Sequence, residues 1–551
     1  MVRSPSPRFP WRRRALCCLM AAALAAPAWS QSPDATAKPG RVDDSAAARA
    51  AESNVRLPAL GESASDEFNL NAEKRLGEQI MREVRRDPDY LDDPVLLDYL
   101  QALWQPLVRT ARARGDIDKD SDGLFPYEAF LVRDRSVNAF ALPGGYVGVH
   151  LGLIGLTATR DELASVLAHE LSHVTQRHIA RSIVASQRSS TLSLAAMLLG
   201  VLAASRAGSA DMAQAAIMGG QAAAAQAQLN FSRDMEREAD RNGYALMTQA
   251  GYAPSGMAAM FEKLDSANRI NDSGGFPYLR SHPLTVDRVG EARQRASAAT
   301  TPAFGNAPAH AGALRHALMQ ARSRVLMDPS TQSVRRQQET VPRSDATPMQ
   351  RLAALYTRAL ASMRLRDFTL AEETLAAGTP LLADSDARLA WAQLNAELAI
   401  ARAQPQLAAQ ALAALPADGT RSQLLLRSQL ALLANDDTAL RDSTEALQAW
   451  AAEHRGDAGA WRALAATAER MNQPLRSLRA QAEAQAALGD LPGAMDRLRA
   501  GQLLAKRGGP NIDFIEASVI DARMRELIAQ RRQLMAEQRG DRGQPRQADP
   551  D

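Results

Sequence analysis

The sequence predicts an α+β domain over residues 66–328 followed, after a connector at 329–347, by an all-α array of helical repeats over 348–530. Three observations carry that reading. Apolar residues recur at helical spacing from Asp66 to about Arg114. From Tyr127 to His150 the pattern changes to short apolar runs separated by turn residues. From Pro348 to about Ala529 the chain is helical in pattern and rich in Ala and Leu. With 551 residues, 46% hydrophobic and 23% charged, there is room for about three or four units, and collagen, coiled-coil fibre and wholesale disorder are excluded.

The first 30 residues read as a secretory signal. Arg3, Arg8, Arg12, Arg13 and Arg14 precede an apolar run from Ala15 to Ala26, and Ala28-Trp29-Ser30 places small residues at a cleavage position before Gln31. The run is too short to span a bilayer, and the Arg12-Arg13 pair also suits a twin-arginine export route. The net charge is +3; loss of those five arginines leaves −2, so no basic patch remains to neutralise phosphates and nucleic acid is not an expected partner. The two cysteines, Cys17 and Cys18, fall inside this segment, which excludes a cysteine nucleophile, a CxxC redox site and a thiolate metal site in the mature chain. Export without disulfides suits the periplasm.

Residues 31–65, rich in Ala, Ser, Pro and Asp, read as a flexible linker. Leu76, Ile80 and Val84, then Leu96, Leu97, Leu100, Leu103 and Leu107, define two helices, with breaks at Asp87-Pro88 and Asp93-Pro94. The runs Ala129 to Val132, Val137 to Leu142 and Tyr146 to Val149, parted by Asp134-Arg135-Ser136 and Pro143-Gly144-Gly145, predict a small β-meander. Between Ile179 and Asn230 lies an Ala/Met/Leu-rich insert. Its longest uncharged stretch, 192–204, predicts a buried or interfacial helix, at most in peripheral membrane contact. Leu314 to Met327 is another helix. The polar connector predicts that the two parts can be separated near Pro329, and 531–551 reads as a disordered tail.

The C-terminal half shows weak self-similarity. Leu375 lies seven residues after Phe368 and four after Ala371; Gly489-Asp490-Leu491-Pro492-Gly493-Ala494 with Leu498 repeats the small-residue turn before an Ala-anchored helix; and Trp461-x-x-Leu464-Ala465 is similar to the start of a repeat's first helix. These features resemble tetratricopeptide repeats, an interaction scaffold with no catalytic signature of its own.

Chemistry concentrates in His169-Glu170-Leu171-Ser172-His173, inside an apolar-periodic segment that begins after Thr159. Four residues advance a helix by about 400°, so both imidazoles project from one face and can share a zinc ion, with Glu170 about 100° around. His178 comes one residue too early for the longer H-E-x-x-H-x-x-G-x-x-H pattern, and on a continuous helix it points away from His173; it reads as a surface residue or a neighbour of the ligands. A better third ligand lies in Phe231 to Asp240, where Glu236 and Asp240 share a face at i,i+4: a carboxylate ligand with an Asp one turn later to hold a ligand imidazole. Asp118-x-Asp120-x-Asp122-Gly123 opens like a calcium loop, but Ala129 stands at its twelfth position, so it reads as a polar turn.

Together with Ser232-Arg233, Asn138-Ala139-Phe140, Pro143-Gly144-Gly145, Ser281-His282-Pro283 and Arg288, these motifs resemble the M48 family of zinc metallopeptidases. Within it, the leader and C-terminal repeats are similar to the periplasmic beta-barrel assembly-enhancing proteases. The resemblance covers about Asp66 to Ala296 with specificity and the repeats in architecture only. It implies a zincin-like metallopeptidase domain before a tetratricopeptide-like domain, with one Zn2+ per chain on His169, His173 and Glu236, the glutamate three before the Ala239-Asp240 pair; Glu238 is the competing assignment. It gives Glu170 the role of general base and Asp240 that of proton donor, although one turn beyond Glu236 also suits Asp240 to orienting a histidine. His282 is expected near the zinc, either stabilising an oxyanion or filling the open metal position as a latch. Asn138, Ala139 and Phe140 are expected to bind an extended substrate strand by β-addition.

Two functions follow. One is an exported zinc endopeptidase that degrades misfolded or misassembled envelope proteins and supports outer-membrane β-barrel assembly. The other is a chaperone-like adaptor with a latent protease, bound to the assembly machinery through its repeats. Unfolded or misassembled outer-membrane proteins are the expected clients.

Overall fold

Asn69 and Asp93 open the first two helices by accepting the otherwise unpaired N–H groups of Ala72 and Leu96, both at 2.9 Å. The helices are α1 (Leu70–Val84) and α2 (Pro94–Arg114), with Pro94 in the first turn of α2 and Gly115 closing it at φ 79°. Between them the chain forms a two-residue strand, β1 (Tyr90–Leu91), too short to leave a period in the sequence. The computed structural model describes residues 68–185, 233–270, 277–298, 312–382, 385–415, 419–508 and 513–543, all within one compact unit, Ala59–Asp551. The expected leader and linker and the 192–204 segment lie outside the described residues. The aspartate-rich stretch forms α3 (Lys119–Asp122), in which Asp118 accepts from the Ser121 N–H at 2.6 Å and Asp122 pairs with Arg112 at 2.7 Å, so these acids serve a polar turn.

Strands β2 (Glu128–Val132), β3 (Ala139–Leu142) and β4 (Tyr146–His150) complete a four-stranded sheet in the order β1-β2-β4-β3. This corrects the predicted meander: β2 pairs with β4 in parallel, and β3 is an antiparallel edge strand beside β4. Burial explains the order. Every residue of β4 is buried, which suits the centre of a sheet, whereas β3 leaves Phe140 half-buried and takes an edge.

Helices α4 (Leu151–Leu156), α5 (Arg160–Thr175), α6 (His178–Ala185), α7 (Arg233–Gln249), α8 (Ser255–Ile270), α9 (Pro277–Ser281), α10 (Val286–Ala298) and α11 (Ala313–Leu326) surround the sheet. Residues Leu163 to Val174 of α5 are buried on all sides, and the helix packs against α2, α7, α8 and the edge strand β3. A helix apolar all round belongs in a core, and this one places polar side chains there deliberately.

The connector is not featureless: Ser330 caps α12 (Thr331–Gln338), which buries Val334. Beyond it Thr347 and Gln350 form a capping box that starts α13 (Pro348–Arg364). There follow α14 (Phe368–Gly378), α15 (Ser385–Ala401), α16 (Pro405–Ala413), α17 (Arg421–Ala434), α18 (Asp437–Glu453), α19 (Ala458–Arg470), α20 (Pro474–Ala487), α21 (Leu491–Arg507) and α22 (Phe514–Gly543). The turns recur: Arg366, Ala403, Asn435, Asn472 and Gly489 each take a left-handed backbone, followed at once by the residue that opens the next helix, Asp367, Gln404, Asp436, Gln473 or Asp490. α22 runs on to Gly543, into the stretch expected as a tail. Among the described residues, no helix is long and apolar enough to cross a membrane.

The core does not stop at the connector. One cluster of buried side chains runs from Leu91 on β1 through α2, α5 and α11 to Leu352, Tyr356 and Leu360 on α13 and Trp391 and Leu398 on α15. Arg322 on α11 bridges the halves: it meets Asp93 through two bonds of 2.7 Å and Glu397 on α15 at 3.0 and 3.2 Å. Farther along, Arg421 on α17 lies 2.7 Å from Asp92, and the Ser422 N–H donates to Asp98 at 3.0 Å. The shared core and these ion pairs argue against the expectation that the halves separate cleanly near Pro329.

Candidate metal centre

The site is built on two buried helices. Thr159 starts α5 by accepting from the Glu162 N–H, and Glu162 reaches back to the Ala158 N–H at 2.6 Å. Ten and fourteen residues after Thr159, His169 and His173 stand on one face with Nε2 atoms 3.0 Å apart. Helix α7 approaches closely because residue 243 is glycine: a Cβ there would lie 3.0 Å from the His169 backbone nitrogen. Gly243 was not singled out in the sequence, where it reads only as a weak point in a helix.

That approach brings in the carboxylates. Glu236 places Oε1 3.4 Å from His173 Nε2 and Oε2 3.5 Å from His169 Nε2. One turn on, Asp240 lies 3.0 Å from His169 Nδ1, the nitrogen that faces away from the cluster. His282, just after α9, joins with Nδ1 3.0 Å from Glu236 Oε1 and 3.3 Å from His169 Nε2. Among the described residues, His169, His173, Glu236 and His282 are the group whose donor atoms converge, all within 4.8 Å of one another and all buried. Glu170 is fully buried beside them; both its oxygens lack a hydrogen-bond partner, and Oε1 lies 3.5 Å from His282 Nε2.

Two residues at long sequence separation complete the surroundings. Arg288 on α10 donates to both oxygens of Asp240 at 2.6 and 2.9 Å, to the Pro283 carbonyl at 2.7 Å, and sits 2.9 Å from Glu236 Oε2. Tyr278 stacks on His282 with ring centres 4.7 Å apart, and its N–H donates to the Val137 carbonyl just before β3. The sequence singled out Arg288 only as part of a motif and gave no sign of Tyr278. Asn138, Ala139 and Phe140 lie at the start of the edge strand, which packs on α5.

The electrostatics suit a cation. Burial opposes the charge on Asp240, yet the hydrogen bonds from Arg288 and His169 hold its carboxyl below the usual range. Burial likewise works against Glu236, and His282 and His169 hold it well below its usual value. Burial works against a charged His169 too, but Asp240 and Glu236 raise it to about 10, whereas burial and the neighbouring His169 keep His173 well below its ordinary value. Anionic Glu236 and neutral His173 are in the donor states metal ligation needs, and metal binding must displace the proton that Asp240 and Glu236 hold on His169.

The two alternative ligands are placed elsewhere. His178 is neither on the surface nor on a continuation of α5: Arg177 takes φ 51°, the helix breaks, and α6 turns His178 back so that its Nδ1 lies 2.8 Å from His173 Nδ1. Arg177 is held there by Glu73 at 3.0 Å and the Phe68 carbonyl at 2.7 Å. Glu238 stays outside the cluster and pairs with His178 Nε2 at 3.1 Å and Arg181 at 2.9 Å.

Residues 99–296 match the sequence profile of peptidase family M48. The chain is 28% identical over 484 residues to the beta-barrel assembly-enhancing protease of Escherichia coli (strain K12), covering 87% of this chain and 92% of that protein. It is 34% identical over 241 residues to the protein of the same name from Yersinia pestis, covering 44% of this chain and 47% of the relative, so that match spans about half of the relative's length. A mitochondrial metalloendopeptidase of Schizosaccharomyces pombe is 30% identical over 227 residues, 41% of this chain and 61% of its own.

Proposed function

Because residues 99–296 are a peptidase family M48 domain and the chain is a metalloprotease, we propose that it is a zinc-dependent endopeptidase of the periplasm that degrades misfolded or misassembled envelope proteins in support of outer-membrane β-barrel assembly. The observation that carries the reading is the convergence of four buried donors beside an unpartnered carboxylate, Glu170. Zinc fits this donor set of imidazole nitrogen and carboxylate oxygen, with His169, His173 and Glu236 as its ligands. When bound, the ion supplies Lewis acidity, acidifying a water and polarising a peptide carbonyl.

The chain's own groups do the rest. Asp240 fixes the tautomer and rotation of His169, and Arg288 fixes Asp240 from its far side. Glu170 takes the proton of the attacking water and returns it to the leaving amine, a role open to a carboxylate whose oxygens are otherwise unengaged. A substrate adds as an extended strand to the outer edge of β3 along Asn138, Ala139 and Phe140. That mode reads backbone rather than side chains and suits unfolded outer-membrane clients. The helices after Pro348 act as a tetratricopeptide-like scaffold for the assembly machinery, and the first 30 residues are removed on export near Ser30.

His282 favours a second, compatible reading, an adaptor whose protease rests in a latent state. Its ring stands among the ligand atoms and between them and Glu170, where a fourth protein ligand blocks the position that catalysis needs open. Cleavage of casein by the purified mature chain, with and without a chelator, tests the main reading. Chelator-sensitive cleavage with stoichiometric zinc is the expected result; cleavage that persists without metal would overturn it.

A further inference from the structure

The two ligand histidines are backed in different ways. Behind His169 stands a carboxylate, Asp240, itself held by an arginine, Arg288. Behind His173 stands a second imidazole. His178 Nδ1 lies 2.8 Å from His173 Nδ1, His178 Nε2 lies 3.1 Å from Glu238 Oε2, and Arg181 closes the row at 2.9 Å from the same oxygen. The two rings pack edge to face with centres 4.8 Å apart, and His178 is fully buried.

Only one arrangement of protons satisfies this row once His173 offers Nε2 to a metal. Its Nδ1 must then carry the hydrogen and donate it. His178 must accept through a bare Nδ1 and so carries its own hydrogen on Nε2, which an acceptor-only carboxylate receives. The opposite tautomer of His178 would set two N–H groups against each other at 2.8 Å, and Glu238, with no proton to give, disfavours it. Arg181 keeps Glu238 in place, as Arg288 keeps Asp240.

We propose that His178 and Glu238 form a positioning relay that fixes the tautomer and ring orientation of His173, and so sets how tightly the chain holds its metal. The proposal rests on the zinc reading above. It assigns a role to two residues that the ligand set leaves aside, at the end of α5 where the chain breaks and the ligand would otherwise be the least constrained. Outer partners of metal-bound histidines typically contribute about 10- to 100-fold in metal affinity.

The test is zinc affinity of the full mature chain, measured by competition with a chromophoric chelator and set beside the unfolding temperature of the metal-free protein. His178→Phe keeps an aromatic ring but removes the acceptor, and is expected to weaken zinc binding about 10- to 100-fold. His178→Asn keeps an acceptor near the Nδ1 position and is expected to restore affinity to within about threefold of the parent. Glu238→Gln can donate as well as accept, relaxes the choice of tautomer, and is expected to fall between the two. Cobalt-loaded protein supplies a second readout, since its visible spectrum follows ligand geometry and should change in His178→Phe and not in His178→Asn. Equal zinc affinity in the parent and all three variants, or a loss in His178→Asn as large as in His178→Phe, overturns the relay. A parent that binds no zinc overturns the zinc reading and the relay with it, an outcome distinct from equal and tight binding throughout.

Discussion

His169 and Asp240 meet Nδ1 to Oδ1 at 3.0 Å, while Arg288 grips the same carboxylate from behind at 2.6 and 2.9 Å. The aspartate is four residues beyond Glu236, so one face of α7 supplies both a carboxylate of the converging donor group and the one that meets the outer nitrogen of His169. Asp240 faces the outer nitrogen of His169 rather than the converging donor atoms. Asp240→Asn is therefore expected to weaken metal binding about 10- to 100-fold and to lose proteolysis largely for that reason. Excess zinc should restore much of the activity. An activity loss that saturating zinc does not repair would instead assign Asp240 the proton-donor role.

Glu170→Gln is the complementary case. With Glu170 in the proposed role of base, the change removes no ligand, so zinc should stay bound while proteolysis falls by about 10²-fold or more. The check is metal content and peptide turnover on one sample, and turnover near the parent value would show that the base lies elsewhere.

Arg322 tests how far the two halves depend on each other. It is buried against Asp93 on one side and Glu397 on the other. Arg322→Ala leaves two carboxylates uncompensated and is expected to cost about 3–5 kcal/mol. Truncation after Pro329 should do worse, because it strips Leu352, Tyr356 and Leu360 from a core shared with α2 and α11. Urea unfolding that remains cooperative and unshifted in either variant would show that the peptidase half is self-sufficient.

What the sequence made legible was local. The i,i+4 pairs His169/His173 and Glu236/Asp240 follow from helical periodicity alone, and the break at Asp93-Pro94, the segment beginning after Thr159 and the helical pattern from Pro348 fall where helices start. What escaped was set by partners far along the chain. The parallel pairing of β2 with β4 depends on which strand the core buries, and a two-residue strand such as β1 has no period to detect. The return of His178 depends on a left-handed turn at Arg177, a residue type that gives no warning of one and is held there by Glu73 and Phe68.

His150 predicts an acid-sensitive step away from the metal. Burial lowers its pKa to about 4, with Asp134 acting in the opposite direction. In the unfolded chain it titrates near 6.5, so the unfolded state takes up the proton first as pH falls. Its contribution is complete above about pH 6.5 and is lost progressively down to about pH 4, amounting to about 3 kcal/mol at most. His150→Gln should make stability fall less steeply over that window in urea titrations at several pH values, by the share His150 contributes. An unchanged slope would place the sensitivity in other groups.

His282 carries the prediction with the sharpest sign. Its Nδ1 is 3.0 Å from Glu236 and 3.3 Å from His169, and its Nε2 is 3.5 Å from Glu170, so the ring stands between these donor atoms and Glu170. An oxyanion stabiliser must leave room for the substrate carbonyl, whereas a ring already among the donor atoms occupies that room. The segment is also tied to the substrate edge, since the Tyr278 N–H donates to Val137 at 3.3 Å and its ring stacks on His282. A latch accounts for both contacts, because opening the metal position and clearing the approach to β3 then require one movement. His282→Ala is accordingly expected to raise cleavage of unfolded substrates while zinc stays bound through His169, His173 and Glu236. A fall of about 10²- to 10³-fold with zinc retained would assign His282 to the oxyanion instead, and unchanged turnover would reduce it to packing under Tyr278.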